Sequence, residues 1–224
     1  MGHVRGGWSG HIRLAISGRS REQLHAVGLA CIQAMYPRSD DARALPDEQR
    51  ARGPDEQSAG GSDEQADGAP EAETLAEPHI SLTRAFYLQQ HQIAGFMQAL
   101  EAGVCGLGEL TVGFGGLSTF VNERGNRGFV AVDVAHGCDG VRRVLERVDR
   151  VMERFGKPRF FADARFHASV VRLRADKDAS RMVQRAGERL GAQMDEEILR
   201  LPAARIDTLE CVFGNRRYLI TLNH

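Results

Sequence analysis

Apolar positions along the 224-residue chain recur at two spacings, one suited to strands and one to helices. His11-Ile12-Arg13-Leu14-Ala15-Ile16 places large apolar side chains at every second position, Ile12, Leu14 and Ile16, the mark of a half-buried strand. Leu24, Val27, Ala30, Cys31, Ala34 and Met35 then recur at helical spacing, with Ser20 as the expected cap. His79-Ile80-Ser81-Leu82-Thr83 reads as a second strand that sets His79, Ser81 and Thr83 on one face and Ile80 and Leu82 on the other. A helix over about 88–101 follows, striped by Ile93, Phe96, Met97 and Leu100 and stopped by the glycines from Gly103 to Gly108.

The later half repeats the alternation. Strands are expected at about 109–121 and 128–134, joined by a turn over Asn122 to Arg127. The helix over 139–155 carries Val141, Val144, Leu145, Val148, Val151, Met152 and Phe155, and Gly156-Lys157-Pro158 ends it. A strand over 166–173, a helix over about 176–199 and strands near 203–212 and 216–222, turning at Gly214-Asn215, close the chain. Such interleaving predicts an α+β fold.

One segment fits neither period. Residues 38–77 contain Asp-Glu-Gln three times, no aromatic residue and many Ala, Gly and Pro residues. Twelve acidic side chains there face four arginines, a local charge of −8, so the remaining 184 residues carry +7 of the formal total of −1. Too little apolar surface is available to offset the entropy of ordering, and the segment is expected to be a disordered acidic linker. It divides the chain into a first part of the folded domain, 1–37, and the remainder, 78–224. The basic body suits a polyanionic partner. No run approaches the roughly 18 to 20 apolar residues of a spanning helix, and the first residues have no apolar signal stretch, so neither a membrane partner nor secretion is expected. Cys31, Cys105, Cys138 and Cys211 are widely spaced, which indicates neither a zinc site nor a disulfide framework and fits a reducing compartment.

The candidate chemistry lies in a repeat. His79-Ile80-Ser81 and His167-Ala168-Ser169 are His-x-Ser triplets 88 residues apart, both within strand pattern, and each sets imidazole and hydroxyl side by side on one face. Two imidazoles with near-neutral pKa values can share the proton transfers of phosphodiester cleavage, one accepting from the attacking hydroxyl and one donating to the leaving oxygen. The neighbouring hydroxyls can donate to phosphate oxygens as charge develops there. Two half-buried strand histidines of purely structural purpose remain the alternative at this point.

Taken with other segments, the triplets give a specific match. The chain resembles the 2H phosphoesterase superfamily and, within it, the U-six small nuclear RNA phosphodiesterase family. Gly7-Trp8-Ser9-Gly10-His11 is similar to that family's Gly-Asn-Trp lead into its first strand. His79 to Thr83 resembles its first catalytic strand, and Asn122-Glu123 with Arg127 and Phe129 its Asn-to-Arg-x-Phe segment. Val148 to Met152, Phe160-Phe161-Ala162-Asp163 and Phe166-His167-Ala168-Ser169 resemble its last helix and second catalytic strand.

The resemblance implies a 2H phosphoesterase fold of two pseudo-symmetric lobes around a central cleft. It makes His79 and His167 the acid and base, with His79 the expected acceptor and His167 the donor. It makes Ser81 and Ser169 phosphate ligands, and Thr83 is a third candidate beside Ser81. Phe161 stands six residues before the second histidine, where relatives can carry a base-stacking Tyr; stacking survives the exchange and the phenol hydrogen bond does not. Asn122 and Glu123 are candidates for contact with the terminal nucleoside, although a turn by itself also selects Asn. Asp163 and Arg165 belong to the loop that leads into the second motif, with Arg165 a candidate phosphate contact.

The expected activity is 3′-to-5′ exoribonuclease action by transesterification, trimming the oligouridine tail of U-six small nuclear RNA in the nucleus and leaving a 2′,3′-cyclic phosphate. The expected partner is RNA, the expected state monomeric, and no metal or other cofactor is expected. A 2′,3′-cyclic nucleotide phosphodiesterase of the same superfamily and a non-catalytic RNA- or nucleotide-binding module are the alternatives.

Overall fold

The computed structural model of the protein describes residues 7–36, 72–122, 125–174 and 179–222. In chain order the elements are β1 (Gly7–Ala15), α1 (Gly18–Met35), β2 (Ala72–Thr74), β3 (His79–Ser81), β4 (Phe86–Gln89), α2 (Gln90–Val104) and β5 (Leu110–Val121). There follow β6 (Arg127–His136), α3 (Cys138–Arg154), β7 (His167–Arg174), α4 (Ala179–Leu199), β8 (Ala204–Ile206), β9 (Thr208–Phe213) and β10 (Arg216–Thr221).

The strands form one sheet in the order β10-β9-β1-β3-β7-β6-β5-β8, with β2 paired to β7 and β4 to β1, and every pairing is antiparallel. The β3–β7 pair is therefore central, with three strands of that order on either side. Its register places Ile80 opposite Ala168. Both are fully buried, as are Leu82, Val170, Ile12 and Leu14, so one face of the central strands makes core and the other faces outward.

Helices cover the apolar face in two groups. α2 packs on α3, and Phe96 of α2 meets Phe86, Phe155 and Phe213 at ring-centroid distances of 5.4, 5.0 and 6.0 Å. Phe96 and Phe213, both fully buried, each stabilise the fold by about 1.5–3 kcal/mol. α1 and α4 lie against β7 and β5–β7 respectively, and the Arg189 guanidinium donates to the Met35 carbonyl to join them. Gly28 permits the close approach of α1, because a Cβ there would lie 2.7 Å from the Val170 carbonyl oxygen. At the start of α3 Gly137 has φ of 81°, and a Cβ would lie 2.1 Å from the Thr111 carbonyl oxygen.

The sequence pattern locates most of these elements, with four corrections. The expected linker does not extend to residue 77: Ala72–Thr74 is a strand on β7, and Glu77 is bonded to Arg13 and Arg217. Residues 38–71 lie outside the described residues. α1 starts after Ser17 rather than Ser20, and Ser17 makes no side-chain cap bond. Phe86–Gln89, half of it assigned to the following helix, is a strand whose Phe86 and Leu88 are buried and whose Gln89 forms a capping box with Gln92. The expected strand near 203–212 is two, because the chain changes partner at Asp207: β8 pairs with β5 and β9 with β1.

Candidate active site

The central register brings the two His-x-Ser triplets together. With Ile80 opposite Ala168, extending the antiparallel pairing by one residue each way sets His79 across from Ser169 and Ser81 across from His167. All four side chains project from the face opposite the buried Ile80 and Ala168. The arrangement is nearly two-fold: each imidazole has one hydroxyl two residues along its own strand and another across the ladder. Ser81 and Ser169 make no side-chain hydrogen bond among the described residues.

Each imidazole has a fixed tautomer. His79 Nδ1 lies 2.9 Å from the Glu77 carbonyl oxygen, and His167 Nδ1 lies 2.9 Å from the Arg165 carbonyl oxygen. A carbonyl only accepts, so Nδ1 carries the proton in both rings and Nε2 keeps its lone pair.

The surroundings of the two rings differ. Arg13 Nη1 lies 3.3 Å from His79 Nδ1. That nitrogen already donates to Glu77, and a guanidinium has only donors, so this contact sets positive charge against the ring edge. The His11 ring meets His79 edge-on at 5.5 Å. Burial pushes His79 down to about 4, with Arg13 adding to the fall and the Glu77 carbonyl and the Glu210 and Glu77 carboxylates opposing it. His11 is pushed down to about 3, by burial first and then by His79 and Arg13. On the other side Phe120 stacks on His167 with centroids 4.2 Å apart and planes 19° from parallel. Burial lowers the His167 pKa and the Arg165 charge adds to this, while the Arg165 carbonyl and the Asp133 carboxylate oppose it. Asp133 stands directly across from His167 in the β6–β7 ladder.

Two flanks extend the site. Beside His79 a cavity of about 260 Å³ opens between Arg13, Ser17, Arg21, Glu77, Glu210 and Arg217. In the loop before β7, Phe161 is 45% exposed, lies under the Arg84 guanidinium at 4.7 Å and meets Phe160 edge-on. Buried Asp149 of α3 holds this loop by accepting the Phe160 N–H at 2.9 Å.

The remaining expected residues fall into place unevenly. Thr83 is corrected: β3 ends at Ser81, Thr83 is only 3% exposed, and its hydroxyl accepts the Ile12 N–H at 2.9 Å, which makes it a structural link to β1. Asn122 spends its amide on the turn, accepting from Asn126 and Arg127 N–H groups and donating to Asn126 Oδ1. Glu123 lies outside the described residues. Asp163 is exposed in the turn before β7. Arg165 is exposed and bonded to Ser118 and Asp133. Sequence reading does not single out Arg13, Glu77, Glu210, Phe120 or Asp133, since each matters through the strand beside it, and a lone strand pattern does not name its neighbours.

A family model described as "HVSL: Uncharacterised conserved protein" matches residues 1–221. Among curated proteins, the U6 snRNA phosphodiesterase 1 of Homo sapiens is 30% identical over 92 residues, 41% of this chain and 35% of that protein. The protein of the same name from Rattus norvegicus is 24% identical over 159 residues, covering 68% of this chain and 58% of the relative. The matched stretches thus span 35% to 58% of the length of these relatives. The structure of Kluyveromyces marxianus Usb1 with uridine monophosphate superposes with a TM-score of 0.61 over 96% of this chain and 98% of its own, at 16% identity, and the two share a fold.

Proposed function

The chain belongs to the HVSL family, and from that footing we propose that it is a 3′-to-5′ exoribonuclease that cleaves by metal-independent transesterification. The observation that carries this reading is the pair of imidazoles and pair of hydroxyls on one face of adjacent strands, each imidazole presenting a free Nε2. A phosphodiester set among them meets one proton acceptor, one donor and two hydroxyl ligands. The 2′-hydroxyl of the penultimate nucleotide loses its proton to His79 Nε2 as its oxygen attacks phosphorus. The bond to the 5′-oxygen of the last nucleotide breaks, and that oxygen takes a proton from Nε2 of His167, which enters this step as the imidazolium with both ring nitrogens protonated. The retained RNA ends in a 2′,3′-cyclic phosphate. The charges around the rings favour this division, with Arg13 against the His79 ring opposing its protonation and Asp133 across from His167 supporting it. Ser81 and Ser169 hold the non-bridging oxygens, and Phe161 supplies a face on which a base stacks.

The substrate we assign is the 3′ oligouridine tail of U6 snRNA, acted on in the nucleus. The names of the relatives support it, as does the uridine monophosphate in the Usb1 structure of the same fold.

The test is a 5′-labelled RNA ending in several uridines, incubated with excess EDTA beside a copy with a 2′-deoxy sugar at the penultimate position. The expected result is a ladder shortening from the 3′ end that carries cyclic phosphate and stops at the deoxy sugar. Intact RNA, with turnover of 2′,3′-cyclic nucleotides instead, would overturn the exonuclease in favour of a cyclic phosphodiesterase.

A further inference from the structure

The histidines are oriented by one device built twice with opposite charges. A carbonyl can orient a ring only if its own peptide is held still. β3 begins at His79 and β7 at His167, so the carbonyls of Glu77 and Arg165 belong to residues outside both strands. In each case the side chain of that residue ties it back to the sheet.

For His79 the tie is anionic. The Glu77 carboxylate accepts two bonds from Arg217, at 2.8 and 2.6 Å, and one from Arg13 at 3.2 Å. Arg13 in turn donates its Nε to Glu210 at 2.5 Å, and Glu210 is only 4% exposed. For His167 the tie is cationic. Arg165 donates to Ser118 Oγ at 3.0 Å and to Asp133 Oδ2 at 3.2 Å, and Ser118 donates to the same carboxylate oxygen. Arg13 lies opposite Ser81 on β1, and Asp133 lies opposite His167 on β6. Each tie thus includes the strand that flanks a catalytic strand from outside, β1 or β6, and reaches beyond it, to Arg217 of β10 on one side and Ser118 of β5 on the other.

We infer that Glu77 and Arg165 are positioning residues: through Arg13, Arg217 and Glu210 on one side and Asp133 and Ser118 on the other, their side chains pin the carbonyls that fix the two imidazoles. The kinetic consequence rests on the proposed ribonuclease activity, whereas the orientation of the rings does not. Small displacements of a catalytic group cost large factors in rate. The charged groups facing the His79 ring are Arg13 from β1, Glu77 from the approach to β3, Glu210 from β9 and Arg217 from β10, with the titratable His11 of β1 edge-on to it. Those facing His167 are Asp133 from β6 and Arg165 from its own approach, with uncharged Phe120 from β5.

The experiment compares the full chain with Glu77→Ala, Glu77→Asp, Arg165→Ala and Arg165→Lys. Glu109→Ala, which removes an equally exposed ion pair with Arg205 away from the histidines, is the control. On labelled oligouridylate, kcat should fall about tenfold in the two alanine variants with KM held within about twofold, and the conservative variants should recover part of the loss. Glu109→Ala should match wild type. Glu77→Ala removes a carboxylate that favours the imidazolium of His79, so the acid limb of its kcat/KM profile should move to lower pH. Arg165→Ala removes a cation beside His167, so the corresponding limb should move to higher pH.

Ring-nitrogen NMR supplies a readout independent of turnover. Wild type should show the Nδ1–H tautomer at both histidines, and Glu77→Ala should show mixed tautomers at His79 alone. Unchanged kcat in both alanine variants, or a loss confined to KM, would overturn the inference, and so would unchanged ring signals. A wild type inactive on RNA whose His79 signals still respond to Glu77→Ala would sink the ribonuclease reading and leave the positioning role standing.

Discussion

The His79 and His167 halves of the site hold the same two residue types in the same backbone geometry and surround them differently. Around His79 the neighbours are charged and interlocked: Arg13, Glu77, Glu210 and Arg217 form a continuous set of ion pairs beside a cavity. Around His167 an aromatic ring joins a single ion pair: Phe120 stacks on the imidazole, and Arg165 pairs with Asp133 beside it. In the proposed reaction two equal imidazoles would compete for both proton-transfer roles, so its division of labour comes from the flanks. A cation against one ring and an anion across from the other separate a proton acceptor from a proton donor.

The largest effects expected test that division directly. His79→Ala and His167→Ala should each lower cleavage of oligouridylate by about 10³-fold. Uridine 3′-(p-nitrophenyl phosphate), whose leaving group needs no proton, should recover most of the activity in His167→Ala and little in His79→Ala. Equal recovery in both variants would break the assignment of roles.

The serines probe what the halves share. Ser81→Ala and Ser169→Ala should each cost about 10²-fold in kcat, as loss of one donor to developing charge does. Stopped-flow or gel-based single-turnover rates that differ by more than tenfold between the two variants would show that the phosphate sits off the two-fold position.

A smaller effect separates the flanks. Phe161→Ala should raise KM for oligouridylate about tenfold, within the 1–3 kcal/mol that base stacking contributes. Leu219→Ala, which trims the cavity wall on the His79 side, should change KM by less than about twofold. A larger change for Leu219 would place the stacked nucleoside on the wrong side.

The smallest effect is on stability. His11, His79 and His167 all have folded pKa values below the ordinary 6.5, the first two at about 3 and about 4. Below pH 6.5 the unfolded chain takes up protons that the folded chain refuses, so stability present at neutral pH is lost as pH falls toward about 4. The denaturant midpoint should drop over that window, and His79→Gln should make the drop shallower. An equal slope in the variant would mean that His79 is already protonated in the folded protein.

Much of the fold is legible because its elements declare their period. α3 buries six apolar residues on one stripe, and β1 and β7 alternate or bury every second position. The short strands are hidden for physical reasons. Ala72–Thr74 sits in an acidic stretch and is stabilised by its partner β7, while Phe86–Gln89 runs straight into a helix and borrows two of its positions. In the site, the histidines and serines announce themselves by a repeated triplet. Thr83 misleads because its place in the same alternation suggests the same face, but the strand ends two residues earlier and the hydroxyl turns to Ile12. Arg13, Glu210 and Asp133 act across strands distant in sequence, Arg13 and Glu210 being 197 residues apart, so only the sheet order makes them neighbours.

The near two-fold axis between Ile80 and Ala168 has a consequence for a polymer with a direction. Turned end for end, an RNA strand would meet the same four catalytic side chains in the same places, because exchanging the lobes exchanges histidine for histidine and serine for serine. The four side chains by themselves do not distinguish a 5′ neighbour from a 3′ neighbour; Arg13 against the His79 ring and Asp133 across from His167 do. Under the proposed activity, the choice of which end is shortened therefore falls to what surrounds those four side chains, the charged hollow beside His79 among it. On the proposed mechanism, an enzyme of the opposite directionality needs the charges beside the two rings exchanged, with the histidines and serines themselves untouched.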